Sequence, residues 1–283
     1  MKILLTGANG QLGRCFQDRL PDHWQIYSTD ANELDITDLK QVEAAIVRYQ
    51  PDAIVNAAAY TAVDKAETES VLVEKINVTG PHNLATVAHE KRIRLVHVST
   101  DYVFDGNATT PYVESSPTNP LSVYGKTKLA GELAVIKAAP DSIIVRTAWV
   151  FSEYGNNFVK TMLRLAKERD ELSIVADQKG CPTYAGDLAQ AIISLLEKNA
   201  ESGIYHYCGD KEVNWYEFAK TIFEMAKQQS VIDKQPQLTA ITTEQYPTPA
   251  YRPQYSSLSC EKIESLSIKC SNWEESLKRI LRY

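Results

Sequence analysis

The chain opens on Ile3-Leu4-Leu5-Thr6, a short apolar run that passes into a glycine-rich stretch and then a helical spacing of apolar residues at Leu12, Phe16 and Leu20. A continuous apolar run of this length reads as a buried strand, and the four-residue spacing as one face of a helix. The alternation repeats, with Gln25–Thr29 as a strand, Leu39–Tyr49 as a helix and residues 53–59 as a third buried strand running into a loop. Residues 71–90 carry helical periodicity with an interruption at Gly80-Pro81, residues 95–99 form a strand that ends at Thr100-Asp101, and residues 143–146 supply another. Strands with no polar alternate face suit a parallel sheet covered by helices on both sides. The pattern predicts an α/β fold: a Rossmann-type doubly wound parallel sheet with a smaller C-terminal substrate-binding lobe.

The texture changes near Phe151. An amphipathic spacing at Phe158, Met162 and Leu165 follows, then Pro182-Thr183 and a helical stretch over 187–198. This divides the chain into a dinucleotide-binding domain over 1–150 and a mainly substrate-binding lobe over 151–283, with some segments free to return to the first domain. Residues 246–253, Tyr-Pro-Thr-Pro-Ala-Tyr-Arg-Pro, must be extended or turning, because each proline restricts the residue before it. Two readings stand for that stretch: a loop folding over a ligand, or a surface connection between the last helices.

Composition narrows the partners. With 30 Lys and Arg against 36 Asp and Glu, the net charge of -6 disfavours a surface made for nucleic-acid backbones or anionic membranes. An anionic ligand needs a local positive site. The five cysteines, Cys15, Cys181, Cys208, Cys260 and Cys270, are far apart in sequence, with no CxxC pair and no histidine at metal-ligand spacing, so they read as reduced thiols. The apolar start is too short for a signal-peptide core, and no run approaches a membrane span. A cytoplasmic protein is expected, with neither nucleic acid nor membrane as a partner.

Gly7, Gly10 and Gly13 follow the first strand directly and open the first helix in a GxxGxxG spacing. A strand end feeding a helix N-terminus aims backbone N–H groups at a pyrophosphate, and missing side chains let it approach. Asp30 falls about twenty residues further on, at the end of the second predicted strand, where a carboxylate reaches the adenosine ribose. Its charge opposes a 2′-phosphate and leans towards NADH, yet NADPH and NADH both stay open. Asp35 and Ile36 lie where a further strand end would meet the adenine edge, and the same stretch, with Thr37 and Asp38, reads as a helix cap. Ala57, Ala58 and Ala59 are small enough for the backbone to lie against the cofactor, although small residues equally permit helix packing.

Tyr124 and Lys128 form YxxxK, which places a phenol and an ammonium one turn apart on a helix face. A ketone that accepts hydride at carbon develops negative charge on oxygen, and a positioned acid must protonate it. Tyrosine, with an ordinary pKa of about 10, is eased towards phenolate by a nearby lysine charge. Thr100, at the end of a predicted parallel strand, is placed to hydrogen-bond the ketone oxygen or the tyrosine.

With these motifs, the chain resembles the extended short-chain dehydrogenase/reductases and, more closely, the dTDP-4-dehydrorhamnose reductase family. The closer likeness rests on VNAAAYTAVDKAE over 55–67, STDYVFDG over 99–106, VYGKTKLAGE over 123–132 and RTAWV over 146–150. The resemblance implies reduction of the C4 keto group of a dTDP-linked keto-deoxysugar, with Tyr124 as proton donor. Lys128 tunes the tyrosine and holds the nicotinamide ribose, and Thr100 adjusts the tyrosine. It places Thr100, Asp101 and Trp149 against the sugar, and carries cofactor contacts onto Gly10, Gln11, Leu12, Asp30, Asp35, Ile36 and Ala57 to Ala59. Arg252, in the proline-rich stretch, is a source of positive charge for the diphosphate.

The chain departs from some bacterial members in one respect. Those members bridge a dimer through magnesium held by acidic residues at positions that align with Cys15 and Gly186. Neither residue replaces a carboxylate for a cation that prefers hard oxygen ligands. No metal is expected to be required, and the expected state is a monomer or a metal-independent dimer. Two rivals share the fold: a non-catalytic cofactor-binding regulatory subunit, against which the intact Tyr124, Lys128 and Thr100 weigh, and a nucleotide-sugar epimerase or dehydratase.

Overall fold

The computed structural model describes residues 1–282; position 283, the last of the expected second lobe, lies outside them. Five strands, β1 (Lys2–Thr6), β2 (Gln25–Thr29), β3 (Ala53–Asn56), β4 (Arg94–Thr100) and β5 (Ile143–Thr147), are joined by a sixth, Gly203–His206. From one edge the order is Gly203–His206, β5, β4, β3, β1, β2, and every pair is parallel. The chain winds outward from β1 to β2, then crosses back to place β3 on the other side of β1. That reversal opens a crevice at the C-terminal ends of β1 and β3, where open α/β sheets bind ligands.

The middle strands are fully buried. Ile3, Leu4, Leu5, Ile54, Val55, Val96 and Val145 are inaccessible, which is why these runs show no polar alternation. The strand expected over 53–59 stops at Asn56, whose side chain accepts hydrogen bonds from Thr6 Oγ1 at 2.7 Å and Ala58 N at 3.1 Å. That cap turns the three alanines into the crevice loop. Gly80-Pro81 does not break the helical stretch either: a π-helical turn, Lys75–Thr79, runs straight into the Gly80–Lys91 helix. The wider turn lets Asn77 reach Tyr60 and Thr127.

Residues beyond 150 divide between two places. The Ala185–Glu197 helix buries Leu188, Ala189, Ile192 and Ile193 in the same core as β1 and β5, and Gly203–His206 pairs with β5. The remaining segments build a smaller lobe, in which Glu171–Val175 pairs with Gln237–Ile241. Its core gathers Phe151, Phe218, Phe223, Trp273 and Leu277. No helix among the described residues is long and apolar enough to cross a membrane.

One packing contact positions the site. The Val123–Ala138 helix presses its backbone on its neighbours through two glycines: a Cβ on Gly125 would lie 2.3 Å from Tyr102 O, and one on Gly131 2.1 Å from Asn77 O. One residue on, buried Glu132 takes a two-pronged ion pair from Arg146, at 2.9 and 2.6 Å, and a hydrogen bond from the Ser99 hydroxyl. Ser99 and Arg146 face each other across β4 and β5, so one carboxylate ties the helix to two strands at a single rung. Removing one member of such a pair strands a buried charge. Arg146→Met should therefore cost roughly 3–5 kcal/mol of unfolding free energy, and Glu132→Leu/Arg146→Met together should restore much of it. Denaturant unfolding of both variants checks this, and a loss below about 1 kcal/mol for the single change would remove the pair as the anchor.

Candidate active site

The three glycines meet different demands. Gly7 has φ +70°, and a Cβ there would sit 2.6 Å from Ala58 N and 2.7 Å from the Ala57 carbonyl carbon, so β1 and β3 touch through backbone alone. On Gly13 a Cβ would lie 2.2 Å from Gly7 O, which keeps helix and loop in contact. Gly10 is the open one: its Cβ would meet only Gly7 O at 3.3 Å, and no side chain caps the Gln11–Gln17 helix that it starts. The first-turn N–H groups of that helix are thus left uncapped at the crevice, which fits a pyrophosphate.

Around this loop the cofactor candidates fall into two groups. Asp30 stands just past β2 and accepts from Asn9 N at 3.0 Å and from Ala31 N at 2.8 Å, so its carboxylate also braces the glycine loop. Ala57, Ala58 and Ala59 line the crevice, half-buried. The side chains of Gln11 and Leu12 are turned elsewhere: Gln11 accepts from Ser152 and Asn157 of the second lobe, and Leu12 is in the core. Asp35 does not end a strand. It closes a turn by accepting from Thr37 N and Thr37 Oγ1, and Asp38 caps the next helix through Lys40 N and Gln41 N. Ile36 is buried against Gly80, and its carbonyl accepts from Asn83 Nδ2 at 3.0 Å.

Thr100, Asp101, Tyr124 and Lys128 come together at the C-terminal end of β4. Ser122 caps the Val123–Ala138 helix through Gly125 N at 3.1 Å, which places Tyr124 at its start, buried and edge-on to Tyr102. Burial pushes the Tyr124 phenol up to about 12; a hydrogen bond with Thr100 opposes this and the charge of Asp101 adds to it. Lys128 is turned to the Val98 carbonyl, at 2.7 Å, and burial draws its ammonium down to about 8 against the pull of Glu132. The expected easing of the phenol by the lysine does not appear in this arrangement: burial raises the phenol, and Thr100 alone opposes it.

Asp101 is buried, and burial raises its carboxyl to about 6, opposed by the hydrogen bond from Thr100. Its Oδ1 accepts from Thr100 Oγ1 at 2.9 Å, whereas Oδ2 has no hydrogen-bond partner among the described residues. The neighbouring Ser256 hydroxyl donates to Lys179 O at 3.3 Å, which leaves that oxygen unmatched. An uncompensated buried oxygen is costly unless a ligand supplies the donor.

Trp149, just past β5, and Arg252, from the second lobe, complete the set. Trp149 adopts φ +48° and stacks on Trp215 with ring centres 3.5 Å apart. Arg252 grips Asp64 with both terminal nitrogens, at 2.9 and 2.8 Å, and holds Asp64 below the usual carboxylate range. With Pro253 packed where Gly106 lacks a side chain, this fork fastens the proline-rich stretch across the site. Asp64, Trp215 and the Glu132–Arg146 pair had no local signal; each acts through a partner distant in sequence.

At the two positions that the resemblance alone pairs with metal ligands, Cys15 is buried and a Cβ on Gly186 would lie 2.2 Å from a terminal nitrogen of Arg19. The Arg19 guanidinium fills the space and donates to Tyr184 OH and Cys15 O. Asp187 is occupied by Ser271 and Ser276 at 2.7 and 2.9 Å.

The whole chain, residues 1–283, matches the family model described as RmlD substrate binding domain. A dTDP-4-dehydrorhamnose reductase of Aggregatibacter actinomycetemcomitans is 47% identical, with 100% of this chain and 99% of the relative covered. Among solved structures, a dTDP-4-dehydrorhamnose reductase from Clostridium acetobutylicum superposes with a TM-score of 0.94 at 43% identity, covering 99% of this chain and 98% of that one. Another, from Bacillus anthracis in complex with NADP, gives 0.93 at 40% identity with the same coverage. The full-length match and this level of identity show that the chain belongs to the dTDP-4-dehydrorhamnose reductase family.

Proposed function

We propose that the chain is an NAD(P)H-dependent oxidoreductase that reduces the C4 keto group of dTDP-4-dehydro-L-rhamnose to give dTDP-L-rhamnose. The observation that carries the reading is the meeting of Thr100, Asp101 and Tyr124 at one end of β4, in a sheet whose switch-point crevice is lined by Gly7, Gly10 and Ala57 to Ala59. The activity for which the relatives are named agrees with that chemistry.

Bound reduced nicotinamide supplies the hydride to the keto carbon. The protein's task is the proton. Tyr124, protonated in its buried setting, donates to the oxygen as negative charge builds there. Thr100 has one proton, given to Asp101 in the resting arrangement; turned to the new phenolate, it stabilises the charge that Tyr124 acquires. Lys128 supplies a buried positive charge one turn along the helix, and its remaining N–H groups suit the nicotinamide ribose. Asp101 Oδ2 accepts from a sugar hydroxyl, and Trp149, braced by Trp215, gives the ring a flat apolar wall. Arg252 reaches a diphosphate with its charge already shared with Asp64, so its main work is holding the proline-rich loop in place. The Asp30 carboxylate and the NADP bound by the Bacillus anthracis relative pull in opposite directions on cofactor choice. The decisive assay follows cofactor absorbance with dTDP-4-dehydrorhamnose beside UDP-linked analogues. Consumption of neither NADPH nor NADH with the dTDP sugar would overturn the proposal.

Three outcomes are expected. Tyr124→Phe should lower kcat by at least about a hundredfold with cofactor affinity nearly unchanged, and a variant that keeps most of its turnover would take the proton-donor role from Tyr124. Asp101 bears on pH. Its folded pKa, about 6, lies above its ordinary 3.8, so the charged group destabilises the fold above the folded value and ceases to do so below the ordinary one. Asp101→Asn should be more stable than the parent at pH 7, by up to about 3 kcal/mol, with the gap closing towards pH 4 and activity reduced. Thermal unfolding across that range is the check, and a gap that does not change with pH would contradict it. Finally, activity should survive EDTA, and sedimentation should show no mass change on adding magnesium, because Arg19 stands where the bridging carboxylates would be. A mass that doubles with magnesium would reverse this.

A further inference from the structure

Four cysteines that are scattered in sequence meet behind the site. Cys208, just past the Gly203–His206 strand, has its Sγ 3.7 Å from Cys260 Sγ, and its backbone N–H donates to Cys260 Sγ at 3.3 Å. Ser271 N donates to the Cys208 carbonyl at 3.1 Å, which draws the neighbouring Cys270 to the same place. Cys181 belongs to the same packed cluster, and Cys270 lies against it. Accessibility grades along this row: Cys208 and Cys260 are buried, while Cys270 is half-buried and lines a surface hollow with Tyr207 and Lys269. The neighbouring Cys260 and burial hold the Cys270 thiol protonated, whereas Cys208 favours the thiolate on Cys260 against its burial.

We propose that Cys208 and Cys260 form an oxidisable dithiol site, reached from the hollow beside Cys270, whose oxidant is a peroxide. The Cys260 thiolate attacks a peroxide oxygen; the O–O bond breaks and the departing hydroxide takes a proton to become water, leaving a sulfenic acid on Cys260. Cys208 then attacks the Cys260 sulfur across the 3.7 Å gap, forming an S–S bond as the S–O bond breaks and a second water leaves. Two thiols are oxidised by two electrons, and one hydrogen peroxide is reduced to two waters. The resulting bond would tie the edge strand of the sheet to the segment that follows the proline-rich loop.

The test treats the whole folded protein with hydrogen peroxide, counts thiols after unfolding and maps non-reduced peptides. The expected result is loss of two of the five thiols with Cys208 and Cys260 in one linked peptide. Cys208→Ser should stop at a sulfenic acid on Cys260 that a dimedone probe labels. Thiol loss without a Cys208–Cys260 link, or no thiol loss, overturns the site. Labelling of another cysteine in place of Cys260 in Cys208→Ser overturns the order of attack.

Discussion

A buried carboxylate sets the geometry on which the chemistry depends. Glu132 has no water to solvate it, so its charge must be met by Arg146 and Ser99, and those partners belong to adjacent strands. Meeting them leaves the Val123–Ala138 helix a single register against the sheet. In that register Tyr124 comes beside Thr100, the residue after Ser99, and Lys128, one turn before Glu132, reaches the Val98 carbonyl. Buried ion pairs are weak contributors to net stability. Here the pair's value is positional, because sliding the helix would leave a charge unpaired.

The same trade of stability for position recurs across the site. Asp101 keeps an oxygen without a donor, Trp149 holds a left-handed backbone, and the Tyr124 phenol is out of water. Each is costly in the free protein, and each is held by something rigid: Trp149 by its stack on Trp215, Tyr124 by the capped start of its helix. Such local costs cluster where a ligand is to be bound. The second lobe adds a clamp, since Arg252 on Asp64 closes the proline-rich stretch onto the first domain through charge, beside the packing of Pro253 on Gly106.

What could be read from the sequence follows the range of the interactions. Buried parallel strands such as β1 and β3 are legible because burial on both faces gives them short continuous apolar runs. Gly7, Gly10, Gly13 and the Tyr124/Lys128 pair are legible because a turn and one helical face contain them. Gly203–His206 was not, since a glycine, a tyrosine and a histidine give no period; His206 is tolerated there by its hydrogen bond to the Tyr112 carbonyl. Asp35 misled for a related reason: a turn-closing aspartate looks the same in sequence as one at a strand end. The Asp64–Arg252 fork spans 188 residues and the Cys208–Cys260 approach spans 52, so no local pattern records either.

If Glu132 acts through register, its removal must damage turnover in a protein that is still folded. The most direct measurement is the kcat of Glu132→Gln with dTDP-4-dehydrorhamnose, taken well below that variant's own melting midpoint, alongside its cofactor Kd. The account predicts a fall in kcat of at least about tenfold with the glycine-loop cofactor site little changed, as expected when an acid is displaced from its reacting atom. A folded Glu132→Gln protein with the parent's kcat would contradict it.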